Sequence, residues 1–270
     1  MSRFTYTRIL PMPMEPAPGG AHGGGMWLLY TFLTILLLPA AVVIALHMSR
    51  IRFARTIVAK TEPAQSCPDG YCNTIVVAGD STAFGVGALP AESTAGRLAA
   101  AFPRARVVNV AKSGNRIGHV VEQLDKVDCP SANLILIQAC ANDVLEFRSV
   151  RKVEADLRAA IARARKLSRN IVLMPGHDFS VAPFFLRPIS MLIMRHATKV
   201  HAMVKRVSAE EGIIFVDLFR DPATEPFVKE PKRYYCPDWL HPSGEGYAIW
   251  FSILVAQVPL RQFLAPPGSD

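Results

Sequence analysis

The sequence predicts one α/β domain, three layers deep around a central parallel sheet and preceded by a single membrane-spanning helix. Three observations carry this reading. Five short runs of Val, Ile and Leu recur along the chain, with helical patterns between them. The runs are continuous rather than alternating, as in strands buried on both faces. Ahead of them lies an uncharged stretch long enough to cross a bilayer.

Residues 1–25 are rich in Pro, Gly and Met, show no apolar period and read as a disordered tail. Residues 26–47 carry no Asp, Glu, Lys or Arg. At about 1.5 Å per residue they reach across a hydrocarbon core of about 30 Å. Trp27 and Tyr30 at one end suit the membrane interface, and Pro39 kinks such a helix without excluding it from lipid. The run is longer than a usual signal-peptide core and its basic residues mostly follow it, so an uncleaved anchor is the preferred reading. Cleavage near Ala40 and Ala41 is the alternative. Arg50, Arg52, Arg55 and Lys60 follow the run closely, and the positive-inside rule then places the domain in the cytoplasm. Cys67 and Cys72 bracket a Pro-Asp-Gly turn, and a disulfide there would require the opposite, oxidising side. The sequence leaves the orientation open.

Residues 48–72 read as a linker, 73–262 as the domain and 263–270 as a tail. Within the domain, strands are expected at residues 74–79, 106–111, 133–138, 170–175 and 212–217. Helices are expected at 93–102, 117–124, 190–211 and 244–258. A further helix is marked by Leu157, Ile161, Ala164 and Leu167, which share one face.

Composition narrows the function. The net charge is +8, which favours anionic surfaces, but the helix and finger signatures of nucleic-acid readers are absent. No nucleic-acid partner is expected. Five cysteines at uneven spacing form neither a disulfide framework nor a four-cysteine zinc site. Gly85 and Gly87 are not followed by the Lys-Ser/Thr of a phosphate loop. His196 and His201 stand five apart, a poor spacing for a shared metal, and read as surface or packing residues.

Ligands of such sheets sit beyond the carboxyl ends of the strands. After the first expected strand come Gly79-Asp80-Ser81, after the second Ser113-Gly114-Asn115, and after the third Cys140-Ala141-Asn142-Asp143. Near the C-terminus stands Asp238-Trp239-Leu240-His241. A serine hydroxyl needs an adjacent base to become a nucleophile. His241 can be that base for Ser81, with Asp238 holding its tautomer. The backbone N–H groups of Ser81 and Gly114 and the amide of Asn142 can serve a developing oxyanion. This chemistry calls for no cofactor and no metal.

These four clusters, in this order, resemble the four blocks of the SGNH hydrolase superfamily, the GDSL-like lipases and esterases. The resemblance spans about residues 74–258. It implies a flavodoxin-like α/β/α fold with Ser81, Gly114, Asn142 and His241 as the named residues and Asp238 completing the triad. The implied activity is ester hydrolysis through an acyl-serine, on a small-molecule or lipid ester, by a membrane-anchored enzyme. An acyltransferase, a carbohydrate deacetylase and a catalytically silent binding module are the alternatives. One position departs from the family: the third block usually reads Gly-x-Asn-Asp, and Cys140 takes the glycine's place. A positive φ there would strain the loop. His177 and Asp178, after the fourth expected strand, are further candidates for substrate binding.

Overall fold

The computed structural model describes residues 23–264 apart from residue 222. Of the expected tails 1–25 and 263–270, residues 1–22 and 265–270 lie outside it, whereas residues 23–25 are helical, Phe263 ends a helix and Leu264 is buried. The chain divides into two units, one ending at Met48 and one beginning at Ser49.

In the first unit, helix α1 (Gly23–Lys60) begins. Its apolar part has a mean hydropathy of 2.5, none of its described residues is buried, and it is long and apolar enough to span a membrane. The helix does not stop where the apolar run stops. Residues 48–60, expected as linker, continue it to Lys60. The reason is that Ile51 and Ala54 keep an apolar stripe facing the core of the second unit while Arg52 and Arg55 stay exposed. The side chain of Arg50 fixes this segment by donating to the carbonyls of Pro183 and Phe184, both at 2.9 Å. Cys67 and Cys72 are both free thiols here, without the disulfide their spacing allows.

The second unit holds five parallel strands: β1 (Asn73–Gly79), β2 (Ala105–Asn109), β3 (Leu134–Gln138), β4 (Ile171–Leu173) and β5 (Ile214–Phe215). They lie in the order β2-β1-β3-β4-β5. Between and after them run α2 (Ser81–Phe84), α3 (Thr94–Ala101), α4 (Val120–Asp125), α5 (Ala141–Leu145), α6 (Val150–Arg165), α7 (Ile189–Glu210), α8 (Pro226–Lys229), α9 (Pro231–Tyr234), α10 (Gly244–Gln257) and α11 (Leu260–Phe263).

The continuous apolar runs are explained by two cores. Successive strand side chains point to opposite faces. Ile75, Val77, Leu134, Leu136 and Val172 therefore pack with Leu98 of α3 and Trp250 and Leu254 of α10. Val76, Ala78, Ile135, Ile137, Ile171 and Leu173 pack with Leu124 of α4, Leu157 and Ile161 of α6 and Val204 of α7. Each buried Val, Ile or Leu stabilises the fold by about 1.5–3 kcal/mol. The result is the expected three-layer α/β/α fold. The consequence for function lies in the strand order: from β1 the chain moves first to β2 and then back to β3 on its other side. This reversal opens a crevice at the carboxyl ends of β1 and β3, where open α/β sheets bind ligands.

Candidate active site

Ser81 sits at that crevice. β1 ends at Gly79, which has φ 142°, and a Cβ there would lie 1.8 Å from the Gln138 carbonyl oxygen of β3. Only glycine fits so close a crossing of backbones. Gln123 of α4 holds both peptide groups of this glycine: its Oε1 accepts from Gly79 N at 2.7 Å and its Nε2 donates to Gly79 O at 2.8 Å. Asp80 then turns the chain. Its Oδ1 accepts from Thr82 N and Thr82 Oγ1, at 2.9 and 2.8 Å, capping α2, and its Oδ2 accepts from Ala141 N at 3.3 Å. Burial pushes the Asp80 carboxyl up to about 6. Ser81 is thus the first residue of a short helix, held between β1 and the loop after β3.

The second part of the site comes from far along the chain. His241 Nε2 lies 3.0 Å from Ser81 Oγ, and His241 Nδ1 lies 2.6 Å from Asp238 Oδ2. All three residues are buried, His241 and Ser81 each being only 8% exposed. The other carboxylate oxygen of Asp238 accepts from Leu240 N, His241 N and the Cys236 thiol, at 2.8, 2.9 and 3.0 Å. Burial raises the Asp238 carboxyl, but the His241 hydrogen bond, the imidazole charge and the remaining donors outweigh it, and the group sits below its ordinary value. The loop that makes this arrangement is tight: Trp239 adopts φ 63°, and Cys236 N donates to His241 O at 2.8 Å. An ionised carboxylate, an oriented imidazole and a hydroxyl form one unbroken hydrogen-bonded chain.

Two further loops follow the strands on either side of β1, at the same carboxyl end of the sheet. Gly114, after β2, has φ 82°, and open space lies where its Cβ would be. Asn142, after β3, donates one N–H to Asn115 O at 2.8 Å. A carboxamide carries a second N–H, which this bond leaves for another acceptor. Asp143 joins the two loops: its Oδ2 accepts from Ile117 N at 2.9 Å and its Oδ1 from Arg148 at 2.6 Å, with its side chain fully buried.

Cys140 does take the strained conformation that a glycine would take freely, with φ 87°. It is buried, and burial holds its thiol protonated, well above the ordinary range. A glycine here would relieve about 1–2 kcal/mol of left-handed strain. It would also give up about 1 kcal/mol of side-chain burial and add about 0.5–1 kcal/mol of backbone entropy cost. These effects nearly cancel. Cys140→Gly is therefore expected to move the melting temperature by less than about 4 °C. A larger shift in calorimetry would show that strain or packing dominates.

His177 and Asp178 follow β4 as expected, but neither hydrogen-bonds to Ser81, His241 or Asp238 among the described residues. His177 is 2% exposed, and its Nε2 lies 3.0 Å from Tyr235 Oη. Phe227 and Trp250 enclose its ring at centroid distances of 4.5 and 5.3 Å. Burial lowers it to about 3, so it is neutral. Asp178 caps the turn Phe179–Val181 by accepting from Ser180 N at 2.9 Å. His201 pairs with Asp217 at 2.9 Å and stacks on Phe219, a packing arrangement. The residues sequence reasoning missed are Gln123, Arg148 and Cys236. Gln123 left a signal, being a lone amide between Val120 and Leu124 on the buried side of α4.

A family model for the GDSL-like lipase/acylhydrolase family matches residues 77–249. Among solved structures, the fold is similar to a lipolytic protein of the G-D-S-L family from Veillonella parvula, with TM-score 0.56 and 16% identity over 70% of this chain and 98% of that one. It is similar to an extracellular lipase from Streptomyces rimosus, with TM-score 0.52 and 18% identity over 69% and 100%. It is also similar to an acetylxylan esterase from Geobacillus stearothermophilus, with TM-score 0.50 and 22% identity over 70% and 95%. At these identities the structural likeness speaks to the fold alone. A search of curated proteins finds no significant match.

Proposed function

Because this chain belongs to the GDSL-like lipase/acylhydrolase family, we propose that it is a serine ester hydrolase, held at a membrane by α1 and working through an acyl-serine intermediate. The observation that carries this reading is the hydrogen-bonded chain from Ser81 Oγ through His241 to Asp238. Ser81 Oγ attacks the ester carbonyl carbon as His241 Nε2 takes its proton. Asp238 keeps Nδ1 protonated and stabilises the imidazolium. The carbonyl oxygen becomes an oxyanion facing the N–H groups of Ser81 and Gly114 and the free N–H of Asn142. Collapse breaks the bond to the leaving oxygen, which receives the proton from His241 Nε2. Water then repeats the sequence on the acyl-serine and restores the hydroxyl.

The test is labelling of the full-length protein with a fluorophosphonate, followed by a panel of esters of graded chain length. A stoichiometric adduct and turnover support the hydrolase. An intact protein that takes no label would instead be a binding module on the same fold.

Anchoring rests on the uncharged segment 26–47, with Arg50, Arg52, Arg55 and Lys60 favouring a cytoplasmic domain. Full-length protein is expected to stay with membranes through carbonate extraction. A truncated chain beginning at Ser49 is expected to be soluble and active. Beginning near Thr61 would strip Ile51 and Ala54 from the core and remove the Arg50 bonds, so Ser49 is the appropriate start. Release of the full-length chain by carbonate would overturn the anchor.

A further inference from the structure

Past Met48, more than half of the exposed large apolar side chains gather in one region: Phe147, Leu186, Ile189, Met191, Leu192 and Met194. Most lie on the first turns of α7 and the loop before it. That helix already buries an apolar stripe, with Ile193, Ala197 and Val200 against the sheet. An amphipathic surface helix ordinarily shows charge on its other face. Here the other face opens with Met191, 50% exposed, and Leu192, 54% exposed. Phe147 extends the patch across to α5, its ring 5.6 Å from that of His196. A contiguous exposed patch of this kind marks an interaction surface.

The charges around the patch name the partner. No acidic residue occurs from position 179 through position 208. Arg187, Arg195 and Lys199 are exposed, and among the described residues none of them has a carboxylate partner. The far end of the same helix behaves differently: Lys205 pairs with Asp217 at 3.3 Å and Arg206 with Glu210 at 2.7 Å. Exposed apolar side chains with unpaired basic ones beside them are the composition of a helix lying at a headgroup surface.

The chain path agrees. Arg50 stands three residues past His47, the end of the apolar segment, and donates to the carbonyls of Pro183 and Phe184. Leu186 follows two residues later. A short path of covalent and hydrogen bonds thus runs from the end of the anchor to the patch. On the membrane-anchored reading given above, we propose that the loop at Leu186 and the first turns of α7 form a second, peripheral contact with an anionic lipid leaflet. The apolar side chains enter the acyl boundary, and Arg187, Arg195 and Lys199 meet lipid phosphates. The same loop is tied to the triad loop, since Phe184 N donates to Trp239 O at 3.2 Å. The contact therefore sets the candidate site beside the leaflet, within reach of lipid esters.

The experiment uses full-length protein in nanodiscs of phosphatidylcholine containing roughly one-third phosphatidylglycerol, an anionic content that favours basic segments. A photoreactive benzophenone amino acid replaces Met191 in one sample, Leu37 within the apolar helix in a second and Val228, an exposed residue on α8, in a third. Lipid adducts are read by mass spectrometry. Met191 should label well above the Val228 baseline. Its yield should fall by about fivefold for each basic side chain removed in Arg195→Gln and Lys199→Gln, and by at least as much as in the double variant when phosphatidylglycerol is withdrawn. If Leu37 labels and Met191 stays at baseline, this contact is wrong while the anchor stands. If both stay at baseline, the anchor is wrong and the contact falls with it. Adducts at Met191 with a second copy of the chain or with another protein, in place of lipid, would also overturn it.

Discussion

Replacing Ser81 by alanine is expected to abolish fluorophosphonate labelling and to cut ester hydrolysis by up to about a millionfold, the scale on which removing a triad nucleophile acts. The size follows from what is lost. Among the described residues His241 Nε2 bonds to no other hydroxyl, so on the proposed mechanism the acyl group would have no oxygen to which it could be transferred. The residual rate would come from substrate binding and the oxyanion donors alone. Folding should hardly change. Ser81 takes part in α2 through its backbone, accepting from Gly85 N, and the capping of that helix belongs to Asp80. Loss of turnover with an unchanged melting curve is therefore the expected pair of results. Stoichiometric labelling of the alanine variant would move the nucleophile elsewhere.

The fold was legible because apolar patterning reports burial directly. Val76 and Val77 point to opposite cores, so a strand between two helical layers has no polar position to interrupt it. The same signal overstates strand length. β4 was expected over residues 170–175 and pairs only over Ile171–Leu173, and β5 was expected over 212–217 and pairs only over Ile214–Phe215. β5 is an edge strand with one neighbour, and in the rest of its expected run only Val216 is buried, while Gly212 is exposed with φ 62° and Ile213 N turns back to Ser208 O. The extension of α1 to Lys60 was hidden for the opposite reason. The arginines after His47 end the apolar run, but Arg and Ala are good helix formers, and the stripe of Ile51 and Ala54 is visible only once the core is known.

In the site, the order of clusters along the chain placed Ser81, Asp238 and His241 together, because each follows a strand or opens a helix at the same end of the sheet. What supports them was not legible. The Cys236 thiol on Asp238 and the Gln123 amide on Gly79 are contacts of particular rotamers, and in the second case the partners are 44 residues apart. His177 shows how a local rule fails. It follows β4, as site residues do, but Tyr235, Phe227 and Trp250 close around it, and all three arrive from segments that no spacing rule connects with it.

Asn142→Ala is expected to lower kcat by about a hundred- to a thousandfold, or roughly 2.7–4 kcal/mol, the cost of removing one oxyanion donor. Substrate affinity should barely move, since the charge that the amide meets exists only near the transition state. The geometry makes the donor well held. One N–H is committed to Asn115 O, which fixes the amide plane, and Asp143 beside it is locked by Ile117 N and Arg148. On the proposed mechanism the second N–H would then meet the developing charge without reorganisation. The same bond introduces a structural cost: the variant leaves Asn115 O without its donor, at about 1 kcal/mol if water does not replace it. Thermal melting separates the two effects, because a loss of about 1 kcal/mol shifts the transition by only about 2–4 °C in a domain of this size. Steady-state kinetics below the transition then read the catalytic loss alone. A fall in kcat of less than about threefold, far under the range for a lost donor, would remove Asn142 from the oxyanion site and leave that work to the backbone of Ser81 and Gly114.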